Sequence, residues 1–222
     1  MNKNIFFSLF CLVTVVIMTP FGAKAQAVFG VKAGPDFSSI TTKTNGTAGS
    51  KVTSNGLIGL EAGVYAEIPA AKQIVIQPAL LYDGKGGKYN IGGGYVQTQR
   101  FNYLMIPVDV LFKPEMPNGS GAWYLGAGPY LAYAISGKIS DTQSSSGNID
   151  PFKNYGNGAQ LNRFDAGAHV QLGYEMATGL NIGLDASLGL MNIAAHGNLN
   201  NATHNTSFAL TIGYTFLSGM NR

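Results

Sequence analysis

The chain has 222 residues and a formal net charge of +3, and only 11% of its residues are charged. That is well below the roughly one quarter usual for soluble domains, while 30 glycines, 12 Phe and 11 Tyr fit neither a disordered chain nor an ordinary cytosolic enzyme. No basic run or stripe is present, so nucleic acid is excluded as a partner.

The first 25 residues read as a secretory signal that is cleaved. Lys3 gives a basic start, Ile5 to Met18 is an apolar run, and Ala23-Lys24-Ala25 is a small-x-small cleavage site. Cys11 lies inside the apolar run, so the remaining chain, 26–222, has no cysteine. Disulfides, thiol catalysis and Cys-based zinc sites are therefore not expected. Without Lys3 and Lys24, 12 Lys and Arg remain against 11 Asp and Glu, a net charge of +1. No second apolar stretch reaches the ~20 residues of a membrane helix.

Eight segments then alternate apolar with polar or glycine residues. In order they are "AVFGVKAGPDFS", "LIGLEAGVYAEI", "IVIQPALLYDGK", "YLMIPVDVLFK", "WYLGAGPYLAYAIS", "FDAGAHVQLGYE", "LNIGLDASLGLM" and "SFALTIGYTF". In the sixth, Phe164, Ala166, Ala168, Val170, Leu172 and Tyr174 oppose Asp165, Gly167, His169, Gln171, Gly173 and Glu175. Period-two segments of about ten residues are the strand signature of an outer-membrane barrel. No segment shows a helical period.

The gaps sort into two kinds. Those after strands one, three, five and seven are long: Ser39–Asn55, Gly86–Gln99, Gly137–Asn162 and Ala194–Thr206. Those after strands two, four and six are short: Pro69–Lys72, Pro114–Gly121 and Ala177–Gly179. Long loops at one end and tight turns at the other are the habit of outer-membrane barrels. A soluble Greek-key sandwich has no reason to sort its connections this way. The predicted fold is all-β: an eight-stranded antiparallel up-and-down transmembrane barrel with long extracellular loops and short periplasmic turns, filling residues 26–222.

A lipocalin-like soluble barrel would keep its apolar face inside, whereas a membrane barrel inverts this. The polar face carries Lys32, Glu61, Glu67, Asp83, Lys85, Asp109, Lys113, Arg163, Asp165, His169, Glu175 and Asp185. Eight strands enclose an interior that side chains just fill. Glycines on that face leave room for Tyr65, Tyr103 and Tyr130 to lie across it. The other face is nearly free of charge, as lipid demands, since one mid-bilayer Arg or Lys costs ~2–4 kcal/mol. Tyr82, Trp123, Tyr133, Phe164, Tyr174, Phe208 and Phe216 sit near strand ends, where interfacial girdles form. The expected lumen network comprises Lys32, Glu61, Asp83, Asp109, Arg163, Asp165, His169, Glu175 and Asp185. Pro78, Pro107 and Pro129 fall within strands, where proline cannot donate to the ladder, and bulges are predicted there.

The same segments resemble the PorT-like outer-membrane β-barrel family of Bacteroidetes. A QP-x-L-L-Y-like strand (Gln77 to Tyr82), a Y-L-x-I-P strand (Tyr103 to Pro107) and a G-x-G-P-Y strand (Gly126 to Tyr130) follow in that family's order, and "IGYTF" closes the pattern. The resemblance covers nearly all of 26–222. It implies an eight-stranded barrel and accounts for the in-strand prolines. The namesake is linked to secretion and gliding machinery. One departure is "LSGMNR" after the final aromatic, Phe216.

An enzymatic reading fares poorly. If strands six and seven pair around Thr178, His169 faces Ser187 and Gln171 faces Asp185, yet no nucleophile elbow or oxyanion donor is evident. His196 and His204 match no metal-ligand spacing, and "DGKGGK" lacks the P-loop spacing. Asn45-Gly-Thr, Asn118-Gly-Ser and Asn201-Ala-Thr match the N-glycosylation pattern only as chance would in Asn-rich loops. No cofactor or metal is expected. The leading expectation is a non-enzymatic outer-membrane barrel with a closed polar lumen, contacting outer-membrane lipid and displaying loops to a surface ligand or envelope protein. An accessory component of a secretion system and a soluble periplasmic ligand-binding barrel are the alternatives.

Overall fold

The computed structural model describes residues 27–44, 50–117, 119–141, 149–153, 161–195 and 202–216. The signal segment, His196 and the three Asn sequons' asparagines lie outside these residues. Among the described residues nine strands form: β1 (Val28–Thr44), β2 (Ser50–Thr53), β3 (Leu57–Ala71), β4 (Ile74–Gly92), β5 (Tyr95–Phe112), β6 (Gly121–Asp141), β7 (Phe164–Met176), β8 (Leu180–Gly189) and β9 (Ala202–Phe216). Each pairs antiparallel with the next in the order β2-β1-β3-β4-β5-β6-β7-β8-β9, and β1 also pairs with β9. The sheet therefore closes. β2 pairs only with the far end of β1, Thr41 to Thr44, so the ring itself has the eight strands expected. Closure leaves no unpaired edge facing lipid.

The inversion is visible at single residues. Leu60, Val108 and Leu184 are 49%, 42% and 57% exposed on the outer face, while their neighbours Glu61, Asp109 and Asp185 are 1%, 0% and 4% exposed inside. On β6 and β7, Trp123 and Tyr174 stand at one end and Tyr133 and Phe164 ten residues away at the other. Ten residues at about 3.4 Å and a tilt near 40° rise about 26 Å, which matches the ~25 Å apolar band of membrane barrels. Edge-to-face aromatic pairs mark both rims: Phe112 with Trp123 at 5.4 Å, and Tyr133 with Phe164 at 5.1 Å.

Two expectations change. The gap Gly86–Gln99 is not a loop. β4 and β5 remain paired up to Gly92–Tyr95, and Gly93 and Gly94, with φ of 59° and 84°, make a two-residue turn. On β4 the alternation persists with its sense reversed, Gly87 and Tyr89 inward against Lys88, while β5 is polar on both faces at Gln97, Thr98 and Gln99, so both are hidden from a search for outward apolar residues. β6 likewise runs on to Asp141, and β9 begins at Ala202.

Pro78, Pro107 and Pro129 do not produce the bulges expected of them. Register shifts fall instead at Pro69/Ala71, Asn90/Gly92 and Asn102/Tyr103. Pro78, Pro107 and Pro129 each keep their pairing with the following strand, to Val108, Tyr130 and Ala168. On the opposite side the ladder skips two positions and resumes in the same register, as between Val110↔Ala127 and Pro107↔Tyr130 beside Pro129. Each proline thus turns its missing N–H toward one neighbour, and the sheet closes around a short gap. Pro35 does the same in β1, paired to Leu60 on β3 and unpaired toward β9.

Candidate functional site

The candidate site is the lumen, because period-two alternation sends every second side chain of eight strands into one narrow space. Inward side chains from non-adjacent strands meet across it. At the short-turn end, Lys113 Nζ donates to Glu67 Oε2 at 2.7 Å and to Glu175 Oε2 at 2.9 Å, joining the end of β5 to β3 and β7. Thr215 Oγ1 donates to the same Glu175 oxygen. Asn181 Nδ2 donates to the Tyr65 hydroxyl at 2.9 Å, which lies 2.8 Å from Thr215 Oγ1.

Half-way up, Lys32 Nζ donates to Asp185 Oδ1 at 2.7 Å and lies 3.5 Å from Glu61 Oε1. His169 Nδ1 is 2.7 Å from Asp109 Oδ2, and its Nε2 is 3.7 Å from Asp185 Oδ1. Gln171 Nε2 donates to Asp109 Oδ2 and to Gln77 Oε1, and Gln77 Nε2 donates to Glu67 Oε1 at 3.2 Å. The lower and middle groups therefore form one connected network. A higher cluster gathers Lys85 Nζ 3.0 Å from Asp83 Oδ2 and 5.0 Å above the Tyr130 ring. There Tyr130 and Asn205 both donate to Asp165 Oδ2.

Eight of the nine expected lumen residues thus point inward from strands. Arg163 stands apart, because it precedes β7, where its carbonyl accepts from Ala134 N at 2.7 Å and its side chain turns to the rim. Its Nη1 donates to the Ala134 carbonyl at 2.8 Å, and its guanidinium lies 5.1 Å from the Phe152 ring at the upper rim. Several contributors were missing from that set, among them Lys85, Lys113, Asp36, Gln77 and Gln171. All follow the inward parity of their strands, which was signal enough. Glycines make room as expected: Gly30 lies under the Tyr65 ring, and Gly173 and Gly183 under Tyr124.

Above the ionic clusters the filling turns apolar. Ile40, Phe101, Ala134 and Phe152 pack together, with Phe101 and Phe152 edge-to-face at 5.5 Å. Residues 149–153 and 161–163 are folded in over the rim, tied by Ile139↔Ile149 and Leu161↔Ala194 bridges and by Asn162 N donating to the Ile193 carbonyl. Near the lower end, a cavity of about 10 Å³ is lined by Lys32, Tyr65, Glu67, Tyr124 and Glu175 among others, which is room for roughly one water.

The register places His169 opposite Ser187 and Gln171 opposite Asp185. The Ser187 hydroxyl turns to Met105 Sδ at 3.7 Å, and His169 is held by Asp109. Both side chains are fully enclosed, so no substrate carbonyl reaches them. Among the described residues, no group of three His, Cys, Asp or Glu is placed to hold a metal ion.

A family model described as "Outer membrane protein beta-barrel domain" matches residues 23–195. A search of curated proteins gave no match. Among solved structures, the attachment invasion locus protein Ail of Yersinia pestis aligns at 12% identity and TM-score 0.43, covering 86% of this chain and 99% of Ail. Neisserial surface protein A aligns at 13% and 0.44, over 86% and 99% of the two chains. OprG of Pseudomonas aeruginosa aligns at 10% and 0.46, over 88% and 99%. At these identities and scores the likeness bears on neither activity nor ligand.

Proposed function

The chain belongs to the family of outer membrane protein beta-barrel domains, and from that premise we propose a non-enzymatic scaffold with a closed lumen that holds surface loops at the cell exterior. The barrel lies in the outer membrane, with its apolar band in contact with lipid. One observation carries the proposal. Side-chain contacts cross the lumen from Lys113, bonded to Glu67 at the lower end, to Lys85, whose ammonium lies over the Tyr130 ring in the upper half, and Phe152 packs above them. Such struts fix the wall and leave no continuous aqueous path. We propose further that residues 1–25 are removed on export, that 26–222 form the mature barrel, and that the finer affinity is with the PorT-like barrels of Bacteroidetes. Ligands or envelope partners would engage the loops at the end where β4 and β5 project.

Two measurements test this reading. Purified mature protein in planar bilayers is expected to give no steady conductance; sustained open-channel currents would refute the closed lumen. A cysteine at Thr98 should react with an impermeant maleimide on intact cells and one at Lys72 should not. The opposite pattern would reverse the orientation.

A further inference from the structure

Outward side chains on β5 change character at one level. Phe112, Val110, Val108, Ile106 and Leu104 face lipid, and then come Asn102, Arg100 and Thr98. At that level Asn102 Nδ2 donates to Ser136 Oγ on β6 at 2.8 Å. Two residues higher, Arg100 stands directly opposite Lys138. The other side of the barrel repeats the device. The hydroxyls of Thr41 on β1 and Thr53 on β2 lie 3.2 Å apart, and two residues higher Lys43 stands opposite Lys51. Lys88 on β4 pairs with Thr98, diagonal to Arg100. All five cations are exposed, and none makes an ion pair among the described residues.

Directly opposed residues hold their Cβ atoms about 5 Å apart, so two like-charge pairs act against the fold when left alone. A phosphate between them removes the repulsion and gains charge-assisted bonds, with Arg offering a two-pronged fork. The position fits a membrane source. Arg100 lies four residues past Leu104, a rise of about 10 Å, which its side chain spans in part by reaching back toward the headgroups. The opposite rim does not share the bias: its exposed charges among the described residues are Lys72 and Glu115, one of each sign.

We infer that Arg100 with Lys138, and Lys43 with Lys51, bind the phosphorylated headgroup of an outer-leaflet lipid, each pair bridged by a phosphate monoester. Lys88 adds to the first pair. The inference rests on the outer-membrane placement and not on the closed lumen, so an open-channel result would leave it standing.

The test compares mature protein in four bilayers: phosphatidylcholine alone, with diphosphorylated lipid A, with dephosphorylated lipid A, and alone with inorganic phosphate in the buffer. The readout is the melting temperature of the folded band in heat-modifiable gels. The wild type should gain several degrees only with diphosphorylated lipid A. K43Q/K51Q/R100Q/K138Q should lose that gain, yet melt at or above the wild type in phosphatidylcholine, because repulsion is gone. K43R/K51R/K138R should keep the gain. At about fivefold per cation, neutralising four should weaken capture of diphosphorylated lipid A several hundredfold, and a double variant about 25-fold. The R100Q/K138Q and K43Q/K51Q double variants carry the same test if the quadruple variant does not fold. An undiminished gain in the glutamine variants overturns the site. An equal gain with dephosphorylated lipid or with inorganic phosphate overturns the headgroup as ligand.

Discussion

Below Asn102 the outer face of this barrel is apolar and the lumen holds the ionic network; above it, the outer face turns polar and cationic, and Ile40, Phe101 and Phe152 pack inside beside Lys85. On β5 the outward row passes from Leu104 to Asn102 and Arg100, while the inward row runs through Leu111, Asp109, Met105, Tyr103 and Phe101 and ends in Gln99 and Gln97. On β1 the outward row goes from Phe37 to Thr41 and Lys43, and the inward row from Lys32 and Asp36 to Ile40. Strand pairing continues across the border. The solvent does, and the period-two pattern follows it. In lipid the hydrophobic effect offers no gain for apolar burial, so polar side chains fill the lumen and satisfy one another. In water the usual sense returns. The β5–β6 register shift at Asn102/Tyr103 falls at the same level, where a bulge can re-aim the wall.

The largest expected effects break the two interiors. Lys32→Met strands Glu61 and Asp185 without their cation and should cost about 3–5 kcal/mol. Phe101→Ala empties the upper core and should cost a similar ~3–5 kcal/mol. Both are read from denaturant unfolding in lipid vesicles. Next is the outer face. Leu184→Arg places a charge in mid-bilayer and should cost ~2–4 kcal/mol, while Ser140→Arg, on the outer face above the border, should stay within about 0.5 kcal/mol. Equal costs at the two sites would erase the border. Gly173→Ala drives a methyl against the Tyr124 hydroxyl and the Ile182 carbonyl, and should cost ~1–3 kcal/mol in the same assay. The smallest effect is Asn102→Ala, which loses one exposed hydrogen bond and should cost less than about 1 kcal/mol.

Much of the lower half is legible in the sequence, because lipid forbids exceptions: a clean apolar row from Phe164 to Tyr174 leaves Asp165, His169 and Glu175 only the inside. What those residues touch is not legible. His169 meets Asp109 from two strands away, and Lys32 reaches Asp185 past β9, contacts set by barrel closure and stagger. The upper half is concealed for a different reason. "GGKYNIGGGYVQTQR" has the glycines and polar residues of a loop, and its alternation of Gly87 and Tyr89 against Lys88 is strand-like only once polar residues are allowed outside. The prolines mislead because a bulge is one way to absorb a missing donor, and this sheet uses another, a local gap in one ladder.

The most direct test is a nitroxide scan of β5, simple because residues 26–222 hold no cysteine. Spin labels placed singly from 97 to 112 report collision with oxygen, which favours lipid, and with a water-soluble nickel chelate. Even positions from 104 to 112 should see oxygen, while 98, 100 and 102 should see the chelate, with inward odd positions shielded from both. Labels at 104–112 that respond to the chelate, or even positions that remain in lipid through 98, would contradict a wall that reverses its polarity at Asn102.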